Sequence, residues 1–131
     1  MIGQRFYIDK YDWQVMVLYE VGSDSADIVI GMLESICNDD KVLDTAYESL
    51  SNGKPNTGFT YSDYDKHRSF MVIGKTTSIR ETINTIVHEA NHLKSHIATV
   101  FDIDEKGEEV CYLIGSIVGS MYNVFRKFIC V

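Results

Sequence analysis

The first and middle apolar segments of the chain are short and rich in β-branched and aromatic residues. Polar turns separate them, which predicts strands rather than helices. Gln4 to Ile8 and Trp13 to Val21 flank one such turn and predict a hairpin. Thr57 to Tyr61 and Arg68 to Gly74 flank another and predict a second hairpin. We therefore expect a small antiparallel sheet made of two hairpins.

Between the hairpins, apolar positions recur three and four residues apart, which is typical of amphipathic helices. A first helix is expected to begin at Ser23 or Ser25 and to run to about Cys37. The polar run 38–40 can cap a second short helix, and Gly53 is placed to end it in the left-handed conformation.

The longest helical pattern runs from Ser78 to Phe101. Ser78 and Glu81 have the spacing of a capping box. The apolar stripe that follows consists of Ile79, Ile83, Ile86, Ala90, Leu93, Ile97 and Val100. After a polar loop, a last helix is expected from about Glu108 to Phe128. The fold class that we predict is α+β, with about four helices and one domain over residues 1–131.

His88-Glu89-Ala90-Asn91-His92 lies inside the long helix, and its histidines fall roughly opposite the apolar stripe. Side chains four residues apart lie one above the other, so two imidazoles can reach one ion. Catalytic zinc commonly has three protein ligands and a water molecule. Glu89 projects between the two faces, where a carboxylate can act as general base toward a metal-activated water. The alternative is two solvated histidines on a polar helical face.

A zinc site of this type needs a third protein ligand. His96 is excluded as a partner of the first histidine, because eight residues of helix rise about 12 Å. Glu108 shares its face of the last helix with Gly115 and Gly119, and glycines four apart permit close approach of another helix. We expect Glu108 as the ligand and Glu109 as the alternative, unless both merely favour the helix N-terminus.

Three further residues near this segment are candidates for the site. Tyr112 lies one turn past Glu108, where a phenol could stabilise an oxyanion or could simply pack. Asp102 and Asp104, in the preceding loop, are fallback ligands.

Composition limits the classes of function. The net charge is −7 and no basic cluster occurs, which disfavours a nucleic-acid-binding surface. No apolar run is long enough to cross a membrane. Cys37, Cys111 and Cys130 have no tight spacing and are expected to be reduced thiols. No signal sequence is recognisable, so we expect a cytoplasmic protein. The acidic composition does not exclude a peptide or protein substrate.

With a helix-borne glutamate after it, the His88-Glu89-x-x-His92 motif resembles the gluzincin class of zinc metallopeptidases. More narrowly, the chain from Arg68 to Met121 is similar to small, uncharacterised peptidase-like proteins of bacteriophages and gut bacteria. The similarity is carried by Met71-Val72-Ile73-Gly74-Lys75, Ser78, Asn84-Thr85-Ile86-Val87-His88-Glu89, His92-Leu93 and Gly107-Glu108-Glu109-Val110-Cys111-Tyr112-Leu113.

The resemblance implies a minimal zincin-like domain that binds Zn²⁺ and hydrolyses peptide bonds with Glu89 as general base. It also implies a bacterial or phage-infected host cell. In zincins an extended substrate commonly lies along an edge strand near the histidine helix, and Phe70 to Ile73 is the expected strand. The alternative function is a catalytically silent zinc-binding protein of phage assembly or host interaction.

Overall fold

Four strands form one mixed sheet in the order β1-β2-β4-β3. The computed structural model describes residues 1–129, in which the strands are β1 (Ile2–Ile8), β2 (Trp13–Val21), β3 (Gly58–Asp63) and β4 (Arg68–Gly74). Both predicted hairpins are present and the α+β class is confirmed. The purely antiparallel sheet is wrong, because β2 and β4 join the hairpins in parallel. That pairing spans two intervening helices and leaves no local signal in the sequence.

Four α-helices accompany the sheet: α1 (Ala26–Leu33), α2 (Asp40–Ser51), α3 (Ile79–Phe101) and α4 (Glu108–Ile129). The side chains of Asp39 and Ser78 accept hydrogen bonds from first-turn N–H groups of α2 and α3, as the sequence predicts. Gly53 follows α2 with a φ of 68°. The first helix ends at Leu33 rather than near Cys37, so only its boundary differs from the prediction.

Helices cover both faces of the sheet. On one face, α3 and α4 pack against alternate residues of the strands; this core includes Trp13, Val17, Met71, Ile73, Ile86, Leu93, Ile117 and Met121. On the other face, α1 and α2 form a second core, which includes Leu18, Val29, Leu33, Phe70 and Val72. Residues of β4 enter both cores because side chains alternate along a strand. This explains why Phe70 to Ile73 is wholly apolar.

The strand beside the histidine helix that has a free edge is β3, not β4. Because β4 lies between β2 and β3, both of its edges are already paired. The expectation that Phe70 to Ile73 receives an extended substrate is therefore wrong. The strand β3 ends the sheet and packs against α3, with Thr60 and Ser62 in direct contact with that helix.

The glycine face of α4 is exposed rather than packed on α3. A Cβ built on Gly115 or Gly119 would meet nothing within 4 Å. The apolar stripe of α4, which includes Leu113 and Ile117, makes the contact with α3 instead. The expectation that the glycines approach the histidine helix is wrong, because burying the apolar stripe removes far more apolar surface from water.

The other expectations from composition concern cysteines and membranes. Cys37 and Cys111 are free thiols, and Cys130 lies outside the described residues. Within residues 1–129, none of the helices combines the length and the apolar content that crossing a bilayer requires.

Gly58, the first residue of β3, has no room for a side chain. A Cβ there would overlap the carbonyl oxygen of Val72 and stand 3.2 Å from Glu89 Cγ. We predict that Gly58→Ala lowers the free energy of unfolding in urea by about 1–3 kcal/mol, since the backbone must shift. The matched control is Gly115→Ala, which adds a methyl group in open space on a helix and should raise stability by up to about 1 kcal/mol. Equal effects of the two substitutions would contradict the packing described here.

Candidate metal centre

The two histidines of α3 point the same way and their rings are in contact. His88 Nε2 and His92 Nε2 are 3.2 Å apart, and both side chains are exposed. Two nitrogen ligands at about 2.0–2.1 Å from one tetrahedral zinc ion lie about 3.3–3.4 Å apart. The two nitrogens are therefore close enough to reach one ion, and 3.2 Å is also the length of a hydrogen bond between the two rings.

Glu89, between these histidines in sequence, is buried. Only 3% of its surface is exposed, and its side chain lies against β3. Thr60 Oγ1 donates a hydrogen bond to Glu89 Oε1 at 2.8 Å. Burial raises the pKa of Glu89 above that of an ordinary glutamate, and it outweighs the Thr60 hydrogen bond and the charges of His92 and His88, which lower it.

Burial and the Thr60 hydrogen bond make Glu89 suited to accept a proton. A carboxylate of raised pKa is a stronger base than an ordinary glutamate and accepts a proton more readily. The Thr60 hydroxyl fixes one oxygen of Glu89, so the carboxylate is held in one orientation. A buried carboxylate with a raised pKa and a specific hydrogen-bond partner is a candidate for a functional group.

His96 is held by a hydrogen-bond chain that begins in the core. Trp13 Nε1 donates to Ser69 Oγ at 2.8 Å, Ser69 Oγ lies 2.6 Å from Ser62 Oγ, and Ser62 Oγ lies 2.6 Å from His96 Nδ1. An indole N–H can only donate. The Ser69 hydroxyl can therefore donate to Ser62, and the Ser62 hydroxyl can donate to His96 Nδ1. In this arrangement each hydroxyl proton has an acceptor. Burial and the nearby charge of His92 lower the pKa of His96, which favours this neutral form.

The start of α4 lies on a different side of α3 from the histidine pair. Lys94, two residues after His92, projects from roughly the opposite side of the helix. Its Nζ is 2.5 Å from Glu105 Oε2, and this ion pair fixes the loop that leads into α4. Glu108 therefore begins a helix whose path runs along the other flank of α3.

The expected third ligands do not join the histidines. Glu108 is on the exposed glycine face of α4, and Tyr112 on that face is 75% exposed. The carboxylate of Glu109 instead accepts a hydrogen bond from Tyr11 and lies 3.5 Å from Lys10 Nζ. These contacts lower the pKa of Glu109, the Tyr11 hydrogen bond most strongly.

The structure thus brings the imidazoles of His88 and His92 together, turns Glu89 toward β3, and leaves the other candidates apart. Within residues 1–129, no three or more His, Cys, Asp or Glu side chains are grouped so that they could hold a metal ion. The fallback ligands Asp102 and Asp104 belong to no such group either. Of the candidate metal ligands predicted from the sequence, His88 and His92 are the two whose side chains meet among residues 1–129.

Sequence reasoning missed the two polar residues of β3 that contact α3. Thr60 and Ser62 alternate with Phe59 and Tyr61, a period of two that marks one face of a strand. That alternation identifies a polar face. It does not identify the partner, since Thr60 and Glu89 are 29 positions apart in the chain.

No protein-family model, curated protein or solved structure matches this chain. The resemblance to zinc peptidases therefore stays a hypothesis that rests on the residues themselves, above all His88, Glu89 and His92.

Because folding raises the pKa of Glu89, the free energy of unfolding should depend on pH through this residue. A carboxyl whose pKa is raised by folding stabilises the fold fully below the ordinary glutamate pKa of about 4.3, and that stabilisation is lost as the pH rises through the folded pKa. Glutamine cannot ionise, so metal-free Glu89→Gln should unfold at higher urea concentration than the parent near pH 8. The difference should shrink near about pH 4.

The matched control is Glu48→Gln, at an exposed position of α2. It should change the urea midpoint little at either pH. A Glu89→Gln protein that is less stable than the parent near pH 8 would show that ionised Glu89 is not an unfavourable buried charge.

Proposed function

We propose that this protein is a zinc-dependent hydrolase of peptide bonds, with His88 and His92 as metal ligands and Glu89 as general base. One observation carries the proposal: two exposed imidazole nitrogens 3.2 Å apart stand beside a buried carboxylate of raised pKa. When bound, zinc would polarise a carbonyl group and lower the pKa of a water molecule to about 7.

Glu89 is the residue that would move the proton. Its oxygen Oε1 accepts a hydrogen bond from Thr60, which holds the carboxylate in place, and the carboxylate would receive a proton from the attacking water. The same carboxyl group would then release that proton to the departing amine. Because burial raises the pKa of Glu89, the carboxylate takes up the proton more readily, and the departing amine, which is a stronger base, can then remove it.

The free edge of β3 is the surface that favours a peptide as substrate. Its outer backbone groups have no strand partner among the described residues. An extended peptide can pair with such an edge through main-chain hydrogen bonds, with little dependence on sequence. The peptide would lie one strand spacing, about 4.8 Å, beyond β3, the strand that touches Glu89.

A second candidate function is metal binding without turnover, in an assembly or host-interaction role. The number of ligands favours it: the described residues supply two imidazoles to the site, whereas catalytic zinc commonly has three protein ligands. The edge of β3 would then receive a partner strand that is held rather than cleaved.

Cleavage of a mixed peptide library by the zinc-loaded protein, followed by mass spectrometry, tests the proposal. We expect cleavage that 1,10-phenanthroline abolishes and added zinc restores. Glu89→Gln should retain zinc and lose activity by about 10²–10⁴-fold, as removal of a general base requires. Tyr112→Phe, at an exposed position, should be as active as the parent.

A Glu89→Gln protein that cleaves as fast as the parent would overturn the general-base assignment. A parent protein that binds zinc and cleaves no peptide would support the second candidate instead.

Thr60 is a positioning residue for Glu89, and its removal has a predictable sign. The Thr60 hydrogen bond lowers the pKa of Glu89, so Thr60→Val should move the acid limb of the pH–rate profile to higher pH. Thr60→Ser keeps a hydroxyl and should restore the profile of the parent. An unchanged acid limb in Thr60→Val would show that the hydroxyl does not tune the base.

A further inference from the structure

A second concave surface lies on the opposite face of the sheet from the metal centre. It is a cavity of about 790 Å³ that opens where the end of α1 leaves part of β1, β2 and β4 uncovered. Small-molecule sites commonly have volumes of about 300–1,000 Å³. The strand register puts Arg5, Met16 and Phe70 in one row across this face, and Gln14 beside Arg68 in the next row.

The charge of the cavity is opposite to that of the protein. The chain has 19 acidic and 12 basic residues, yet the lining contains Arg5 and Arg68 and no Asp or Glu. Among residues 1–129, the one carboxylate that pairs with either guanidinium is Asp63, whose Oδ2 is 3.5 Å from Arg68 Nε. A cavity with this lining attracts anions.

Arg68 is the second cation of the cavity. Its Nε is buried, lies 3.5 Å from Asp63 Oδ2 and makes no hydrogen bond to any described residue. The side chain as a whole is 32% exposed. A guanidinium group carries five N–H donors and can offer two parallel ones to a carboxylate, so an anion in the cavity would bind donors that Asp63 does not use.

We propose that this cavity binds a small amphipathic anion, a carboxylate attached to an apolar body. Arg5 and Arg68 lie on strands that are two spacings apart, about 10 Å, so their long side chains can converge on one head group. The apolar body would rest on Met16 and Phe70 from the sheet and on Met32 and Ile36 at the end of α1. The site is independent of the metal centre and needs no peptidase activity.

Calorimetric titration of the full chain with decanoate, below its micellar concentration, tests this proposal. The titration uses metal-free protein with His88→Ala and His92→Ala, so that the carboxylate cannot bind at the metal centre. Decan-1-ol and decylammonium are the matched neutral and cationic probes. We expect decanoate to bind at least tenfold more tightly than either of them.

Variants assign the binding to the cavity. Arg5 is exposed, so Arg5→Gln should fold normally and weaken decanoate binding by about tenfold, while decan-1-ol binding is unchanged. Arg68→Gln should have the same effect, and Arg126→Gln, on an exposed position of α4, should have none. Decanoate binding no tighter than that of decan-1-ol, or binding that survives both cavity variants, would overturn the proposal. So would sedimentation showing a dimer that Arg5→Gln and Arg68→Gln dissociate, since the cavity would then hold a second copy of the chain.

Discussion

The burial of Glu89 between α3 and β3 is the interaction on which the rest of the site depends. The apolar stripe of α3 packs on the sheet and fixes the rotation of the helix, so that the histidines before and after Glu89 face outward. Gly58 leaves room for the side chain and Thr60 donates a hydrogen bond to it. The position of the Glu89 carboxylate is therefore set by the packing of α3 on the sheet and by the contacts with Gly58 and Thr60 of β3.

Two polar arrangements at the same helix–strand boundary differ in an informative way. In the hydrogen-bond chain formed by the side chains of Trp13, Ser69, Ser62 and His96, every donor has an acceptor. Pairing of this kind lets a fold bury polar groups at little cost. Glu89 has a hydrogen bond, yet its burial still raises its pKa. A fold selected for stability alone would place a neutral side chain there, and departures of this type concentrate at functional sites.

The parts of the structure that local physics determines could be predicted from the sequence. The caps at Asp39 and Ser78 and the contact of His88 with His92 depend on residues within a few positions of each other. The expected apolar stripe of α3 is only partly correct. It is buried at Ile86, Ala90, Leu93 and Ile97, whereas Ile79 and Ile83 are exposed because the first turns of the helix bury Thr82 and Thr85 instead. The parallel pairing of β2 with β4 and the contact between Thr60 and Glu89 depend on distant residues, and no short pattern encodes them. The expectation that Glu108 is a ligand depends on packing of the glycine face of α4, but the apolar stripe of α4 makes the contact with α3 and the glycine face is exposed.

Competition titration against a chromophoric zinc chelator shows whether the imidazole pair of α3 binds a divalent metal ion. We expect one zinc ion per chain, with affinity lowered at least about 100-fold when either His88 or His92 is replaced by alanine. Glu108→Gln should leave the affinity within about threefold of the parent, because Glu108 is exposed on α4 and belongs to no group of metal-binding side chains among residues 1–129. A parent protein that binds no zinc, or one whose affinity survives the loss of both histidines, would show that the histidine pair is not a metal site.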